Sequence, residues 1–249
     1  MGTESAVTVA VLLPDVLGTY SDAGNAVVLA QRLRSRGVEA EVIDVTADST
    51  PPVGCELYVV GGGEDTAQYF AAAWLARHRR LCVTLAERAV SLAVCAGLQI
   101  FGNVVTDRAG DEHAGLGLLD LSTCPGPQRT VGESVSTSTL PGVGRVTGFH
   151  NHGGVSTLGP GALPFAYTKR GPANHPDTRI EGAVTPQASQ PGAGPAPGVV
   201  ATYLHGPVLA RNPALADHLL ARALGGPLPP LDPQHLPDMP ELRATYLAE

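Results

Sequence analysis

Four strand-length runs rich in Val and Leu fall within the first hundred residues: VTVAVLL (7–13), VEAEVIDV (38–45), CELYVV (55–60) and VSLAV (90–94). Between them the spacing turns helical. In 22–36, Ala26, Leu29, Ala30 and Leu33 recur at i, i+3, i+4 and i+7, with Asp22 placed to cap the start and Gly37 to end it. Residues 66–78 and 81–88 read as helices too. Buried strands alternating with helices predict an α/β fold, a mostly parallel central sheet flanked by helices. Ligands of such sheets sit beyond the carboxyl ends of the strands, so the residues that follow each run carry the search for function.

From about 114 to 204 the texture changes. Short pieces at 115–121, 129–138, 145–150, 180–184 and 199–204, separated by Gly, Pro and Ser, predict an antiparallel extension of the same sheet. The low-complexity segment 185–198 reads as a mobile loop. A helix is expected over 212–224, with Asn212 as N-cap and Pro213 at its first position. These boundaries give one domain over 1–225 and a Pro-rich tail over 226–249, whose last ten residues could form a short helix.

Composition removes several functions. Sixteen basic residues against 23 acidic give a net charge of -7. There is no basic run, which argues against nucleic acid or an anionic membrane surface as partner. No apolar run reaches the roughly 18 residues of a membrane span, and the N-terminus lacks the pattern of a signal peptide. Cys55, Cys82, Cys95 and Cys124 form no CxxC pair or His/Cys ligand spacing, so they read as free thiols in a reducing cytoplasm and give no support to a bound metal.

The sharpest chemical signal is LAVCAGLQIFG (92–102). A buried strand runs straight into Cys95 and then into a helix, with Ala93, Ala96 and Gly97 as small neighbours. Such a strand-to-helix elbow lifts a side chain above the sheet, and the helix N-terminus beyond it lowers a thiol pKa and can hold an oxyanion. The plain alternative is a small buried hydrophobe, which is how Cys55, Cys82 and Cys124 are read.

A thiol nucleophile needs an imidazole. His205, in VVATYLHGP (199–207), ends a strand that should return to the sheet near Cys95. His150 and His152, in the expected turn GFHNHGG (148–154), remain open alternatives, while His78, His113, His175, His218 and His235 fall on helix surfaces or loops. The glycine-rich VVGGGEDTAQ (59–68) follows the third run. It has no P-loop lysine, the only lysine of the chain being Lys169. We therefore read Gly61, Gly62 and Gly63 as backbone donors for an oxyanion or carboxylate, or simply as a tight turn.

The ordered set GGGEDTAQ, CAGLQIFG, GFHNHGG and YLHGP resembles the class I glutamine amidotransferases of the cobyric acid synthase-like branch, over about residues 5–225. Within it the set most resembles the glutaminase subunits of lipid II isoglutaminyl synthases. The resemblance implies the glutamine amidotransferase fold, related to the flavodoxin-like α/β sheets. It also implies that Cys95 attacks the side-chain amide of L-glutamine, that His205 is the general base, and that Gly62, Gly63 and Ala96 hold the oxyanion. Arg129, in CPGPQRTVGE, matches the position of a glutamine-binding arginine, and Gln99 is expected beside it in the substrate site. No cofactor is implied on this chain. ATP and Mg²⁺ are expected on a Mur-ligase-like synthase partner in a heterodimer, where ammonia would amidate D-glutamate of lipid II.

Two departures stand out. The elbow reads Ala93-Val94-Cys95-Ala96-Gly97 where the class usually has Gly first. His205-Gly206-Pro207 lacks the glutamate that the wider class places two residues on, so a Cys–His dyad or a carboxylate from elsewhere is implied. A glutaminase serving cobyric acid synthesis, a γ-glutamyl hydrolase and a non-catalytic binding subunit are the competing readings.

Overall fold

The four apolar runs become β1 (Val7–Leu12), β2 (Ala40–Val45), β3 (Leu57–Val60) and β4 (Val90–Val94) of a computed structural model that describes residues 6–18, 22–189 and 197–231. Between them lie helices α1 (Gly24–Arg34), α2 (Asp65–Arg77) and α3 (Arg79–Glu87). Helix α4 (Ala96–Phe101) follows β4 after a single residue. Next come β5 (Val104–Thr106), β6 (Glu112–Ala114), β7 (Leu121–Ser138), β8 (Arg145–Leu158), β9 (Leu163–Arg170) and β10 (Ile180–Val184). The short helix α5 (Pro186–Ser189), β11 (Gly198–Thr202), α6 (Val208–Arg211) and α7 (Pro213–Leu224) complete the described order.

All described strands join one sheet, in the order β2-β1-β3-β4-β11-β10-β9-β7-β5-β6, with β8 paired to β7. The five strands from β2 to β11 are parallel; from β11 onward the pairing turns antiparallel, apart from β5 beside β7. The α/β class with an antiparallel extension is thus the observed architecture. Helices on both faces of the parallel half explain its runs: every residue of β3, β4 and β11 is buried, whereas the edge strand β2 exposes Glu41 and Asp44. Helix α1 packs on α7, and Arg32 grips Asp217 through Nε and Nη2 at 2.8 and 2.7 Å, a fork that locks the two helices in register.

Several expectations change. Residues 115–120 are not a strand, because their amides are drawn to the end of α4: Leu116 N–H donates to Ile100 O and Leu119 N–H to Phe101 O, both at 2.8 Å, and only Leu121 enters β7. The GFHNHGG segment is no turn. It lies inside β8, where Gly148 pairs with Ser134 and His152 with Thr130, and long strand pairing outweighs the local turn preference of Gly and Asn. Strand β9 went unforeseen because Pro164 reads as a breaker; here it sits at the strand's second residue, where it is tolerated. Asp22 does not cap α1: Ala23 occupies the N-cap with no side-chain bond, since the carboxylate is turned inward. Asn212 holds the N-cap position of α7, but its side chain bonds Thr147 and Val208. The 185–198 segment opens with α5, and its residues 190–196, like residues 232–249 of the tail, lie outside the described ones.

Candidate active site

Four adjacent parallel strands, β1, β3, β4 and β11, end on the same rim, and each delivers one piece of chemistry there. Asp22 lies after β1, Gly61–Gly63 after β3, Cys95 after β4 and His205 after β11. Residues more than 180 positions apart meet because strand order, not sequence order, sets neighbours at a sheet edge.

Cys95 turns the elbow with φ 54° and ψ −106°. For a non-glycine residue this conformation is strained by about 1–3 kcal/mol and persists only where the surroundings enforce it. They do. Cys95 N–H donates to Thr202 O at 2.8 Å, continuing the β4–β11 ladder, and Gly97 N–H donates to Gly61 O at 3.2 Å. A Cβ at Gly97 would stand 2.7 Å from Val60 O, so only glycine lets α4 start this close to β3. Ala93, in place of the usual glycine, is fully buried without disturbing the turn.

His205 is clamped to β8 by reciprocal backbone bonds with Phe149, at 2.9 and 3.2 Å. Its Nδ1 lies 3.2 Å from Asp22 Oδ2, and its ring also bonds Cys95. Burial alone would lower the imidazole pKa; the bonds to Asp22 and Cys95 outweigh it and hold the group up at about 10. Asp22, fully buried, is the orienting carboxylate that the YLHGP segment lacks. No short motif marks it, because Asp22 lies 183 positions from the histidine; the signal available was a polar residue just beyond the first strand. Buried Asn25 steadies it, donating to Asp22 O at 2.9 Å and accepting from Leu209 N–H at 2.9 Å.

Gly62 sits where these side chains converge. A Cβ there would lie 3.0 Å from His205 Cε1, 3.2 Å from Asp22 Oδ2 and 3.3 Å from Cys95 Cβ. Its N–H donates to Asp22 Oδ2 at 2.9 Å. The Gly62 N–H expected at the oxyanion is thus engaged by the Asp22 carboxylate. Gly63 and Ala96 do line the cavity beside Cys95.

That cavity has a volume of about 140 Å³. Arg129 reaches it from the bulged part of β7, where its Nε donates to Asn151 Oδ1 at 2.6 Å. Gln99 lines the opposite wall, with its Nε2 donating to the Tyr203 hydroxyl at 2.9 Å. Arg108 adds a second cation, and Glu64, Asp65 and Asp107 supply carboxylates. At the mouth, Tyr69 stacks on His113 with ring centroids 3.7 Å apart, and His113 Nε2 lies 3.0 Å from Asp107 Oδ2. Cations and carboxylates facing one small cavity suit a zwitterionic amino acid.

The two alternative bases take other partners. His152 lines the cavity, but Nδ1 bonds Gly154 O and Nε2 faces His150 Nδ1, each at 2.9 Å. His150 is fully buried. Cys55 and Cys82 are away from the cavity, their thiol pKa values pushed up by burial; exposed Cys124 lines it. His78 and His218 bond backbone carbonyls, His175 lies in a loop, His113 lies on β6 rather than a helix or loop, and His235 falls outside the described residues.

Comparison with known proteins agrees with this geometry. The chain is 28% identical over 243 residues to the glutamine-hydrolysing lipid II isoglutaminyl synthase subunit GatD of Staphylococcus aureus, covering 97% of this chain and 94% of that one. It is 26% identical to the Streptococcus pneumoniae GatD over 88% of this chain and 80% of that one. A cobyric acid synthase of Brucella melitensis is 31% identical over 192 residues, covering 74% of this chain and 35% of the synthase. The glutaminase domain of a Trypanosoma brucei CTPS, with bound acivicin, shares the fold at a TM-score of 0.50 and 14% identity, over 88% of this chain and 94% of that one. The CobB/CobQ-like glutamine amidotransferase domain model matches residues 8–213, and the chain belongs to that family of enzymes.

Proposed function

We propose that this chain is the glutaminase subunit of a lipid II isoglutaminyl synthase, serving peptidoglycan synthesis. The observation that carries the reading is the meeting of His205 and Asp22 with Cys95, which lines a charged cavity. The end-to-end likeness to the S. aureus subunit favours this assignment over cobyric acid synthesis, whose relatives match over a third of their length.

In the proposed reaction Cys95 Sγ attacks the side-chain carbonyl carbon of L-glutamine, with its proton held by His205 Nε2. Asp22 keeps the Nδ1 proton in place and stabilises the imidazolium. The N–H groups of Ala96 and Gly63 receive the oxyanion, each such donor contributing about 10²–10³ in rate. The imidazolium then protonates the departing amine, ammonia leaves, and water activated by His205 releases glutamate from the thioester. Arg129 holds the α-carboxylate with its planar fork, and Gln99 lines the site through Tyr203. Ammonia passes to a Mur-ligase-like partner that uses ATP and Mg²⁺ to activate the D-glutamate carboxyl of lipid II. Among the described residues no helix is long and apolar enough to cross a membrane, and four free cysteines fit the cytoplasm as its place of work.

The test is ammonia release from L-glutamine by the full chain, alone and mixed with a Mur-ligase-like partner, alongside cleavage of γ-glutamyl peptides. Cys95→Ala and His205→Ala should abolish ammonia release. Full activity in either variant, or preference for γ-glutamyl peptides, overturns the reading.

A further inference from the structure

Behind the cavity, three polar gaps run in series through the sheet. Glu181 Oε2 and His150 Nε2 face each other at 3.4 Å, and both are buried with no hydrogen-bond partner among the described residues. His150 Nδ1 lies 2.9 Å from His152 Nε2, and His152 Nδ1 lies 2.9 Å from Gly154 O. Lone pairs do not face each other at 2.9 Å, and a shared proton is what would satisfy the two unpartnered buried atoms 3.4 Å apart, so one proton is assigned to each gap. The Gly154 carbonyl only accepts, which puts the last proton on His152 Nδ1. One carboxyl and two imidazoles therefore share three protons, with a net charge of zero.

Those three protons admit two arrangements. In the first, Glu181 is a neutral acid donating to His150 Nε2, and His150 Nδ1–H donates to His152 Nε2. In the second, the Glu181 proton has moved to His150 Nε2 and the His150 Nδ1 proton to His152 Nε2. Glu181 is then a carboxylate, His150 is still neutral, and His152 is an imidazolium at the cavity wall. No proton enters or leaves the chain of three residues.

We propose that Glu181, His150 and His152 form a closed proton relay that brings positive charge to the cavity wall when the bound molecule is negative at its reacting end. The γ-carboxylate of product glutamate is such a molecule. The proposal rests on the reading of the cavity as a glutamine site. Burial holds His150 and His152 down at about 3 and about 4 and pushes Glu181 up, so burial favours the uncharged form of each. The ionised alternative is provided for as well. Glu181 Oε1 already accepts Thr202 Oγ1–H at 2.7 Å and Tyr203 N–H at 2.8 Å, the donors that a buried carboxylate needs. Tyr203 also packs at a tilt against His152, with centroids 4.1 Å apart, which restrains the ring at the end of the relay.

The test is ¹⁵N NMR of histidine-labelled full chain during titration with L-glutamate. His152 is expected to pass from the neutral to the cationic ring pattern, while L-glutamine bound to Cys95→Ala leaves it neutral. Glu181→Gln keeps a donor for His150 and an acceptor for Thr202 but has no proton to yield, so the change should vanish. Calorimetry of glutamate binding to the unaltered protein, in buffers of different ionisation enthalpy, should find no net proton uptake. The relay is overturned by a His152 ring that stays neutral at every glutamate concentration, by an unchanged response in Glu181→Gln, or by uptake of one proton from solvent. Failure of the unaltered chain to hydrolyse glutamine would instead sink the glutaminase reading, whatever His152 does.

Discussion

Asp22 Oδ2 stands 3.2 Å from His205 Nδ1 and, from the same oxygen, accepts the Gly62 N–H at 2.9 Å. One carboxylate thus orients the imidazole and fixes the glycine loop against it. Asp22→Asn preserves shape but removes the charge and offers His205 the wrong hydrogen bond. Glutaminase kcat should fall by about 10²-fold or more with a small change in KM. Steady-state ammonia release reads this directly, and an unchanged kcat would leave Asp22 without the role.

The same pair predicts a pH dependence of stability. The His205 pKa is raised in the folded protein from 6.5 to about 10, burial opposing and the bonds to Asp22 and Cys95 prevailing. Its contribution is therefore complete below about pH 6.5 and is lost as pH rises towards 10. Urea midpoints between pH 6 and 10 should decline in the native sequence more steeply than in Asp22→Asn.

On the acid side the sign reverses. His150 and His152 are lowered from 6.5 to about 3 and about 4, chiefly by burial. Between those values the unfolded chain binds protons that the folded one refuses, so stability falls as pH drops from about 6.5 to 4. Thermal melts of His150→Gln should show a shallower loss over that window.

Gly62→Ala tests the convergence of the three side chains. The new Cβ would press His205 Cε1 at 3.0 Å and Cys95 Cβ at 3.3 Å, displacing them by fractions of an ångström without opening the fold. Misplacement of reacting groups on that scale lowers rates by up to about 10²-fold. The expected outcome is a much reduced kcat with a melting temperature close to that of the native chain.

Arg129 is exposed on β7, so its replacement should leave stability unaltered. Arg129→Lys keeps charge and loses the planar fork, and the KM for glutamine should rise about tenfold, the size of one charge-assisted hydrogen bond. A KM within twofold of native would assign carboxylate binding to another residue, with Arg108 the next candidate in the cavity.

Periodicity in the chain was enough for the parallel half of the sheet. Runs such as VSLAV must be buried on both faces, and the residue after such a run, Cys95, must lie on the rim. That logic is local, carried by a handful of neighbouring side chains. The pairing of β7 with β8 was not local, and so a Gly- and Asn-rich segment that reads as a turn became strand. The carboxylate behind His205 was equally hidden. Asp22 has the sequence of a helix cap, and only the closing of β1, β3, β4 and β11 into one edge turned it towards an imidazole 183 residues away. The same closing took the Gly62 amide for Asp22, and brought His150, His152 and Glu181 together in one buried series. Strand propensity and burial pattern are properties of a segment, whereas hydrogen-bond partners belong to the packed whole, because a buried polar group takes whichever partner the fold brings within about 3 Å.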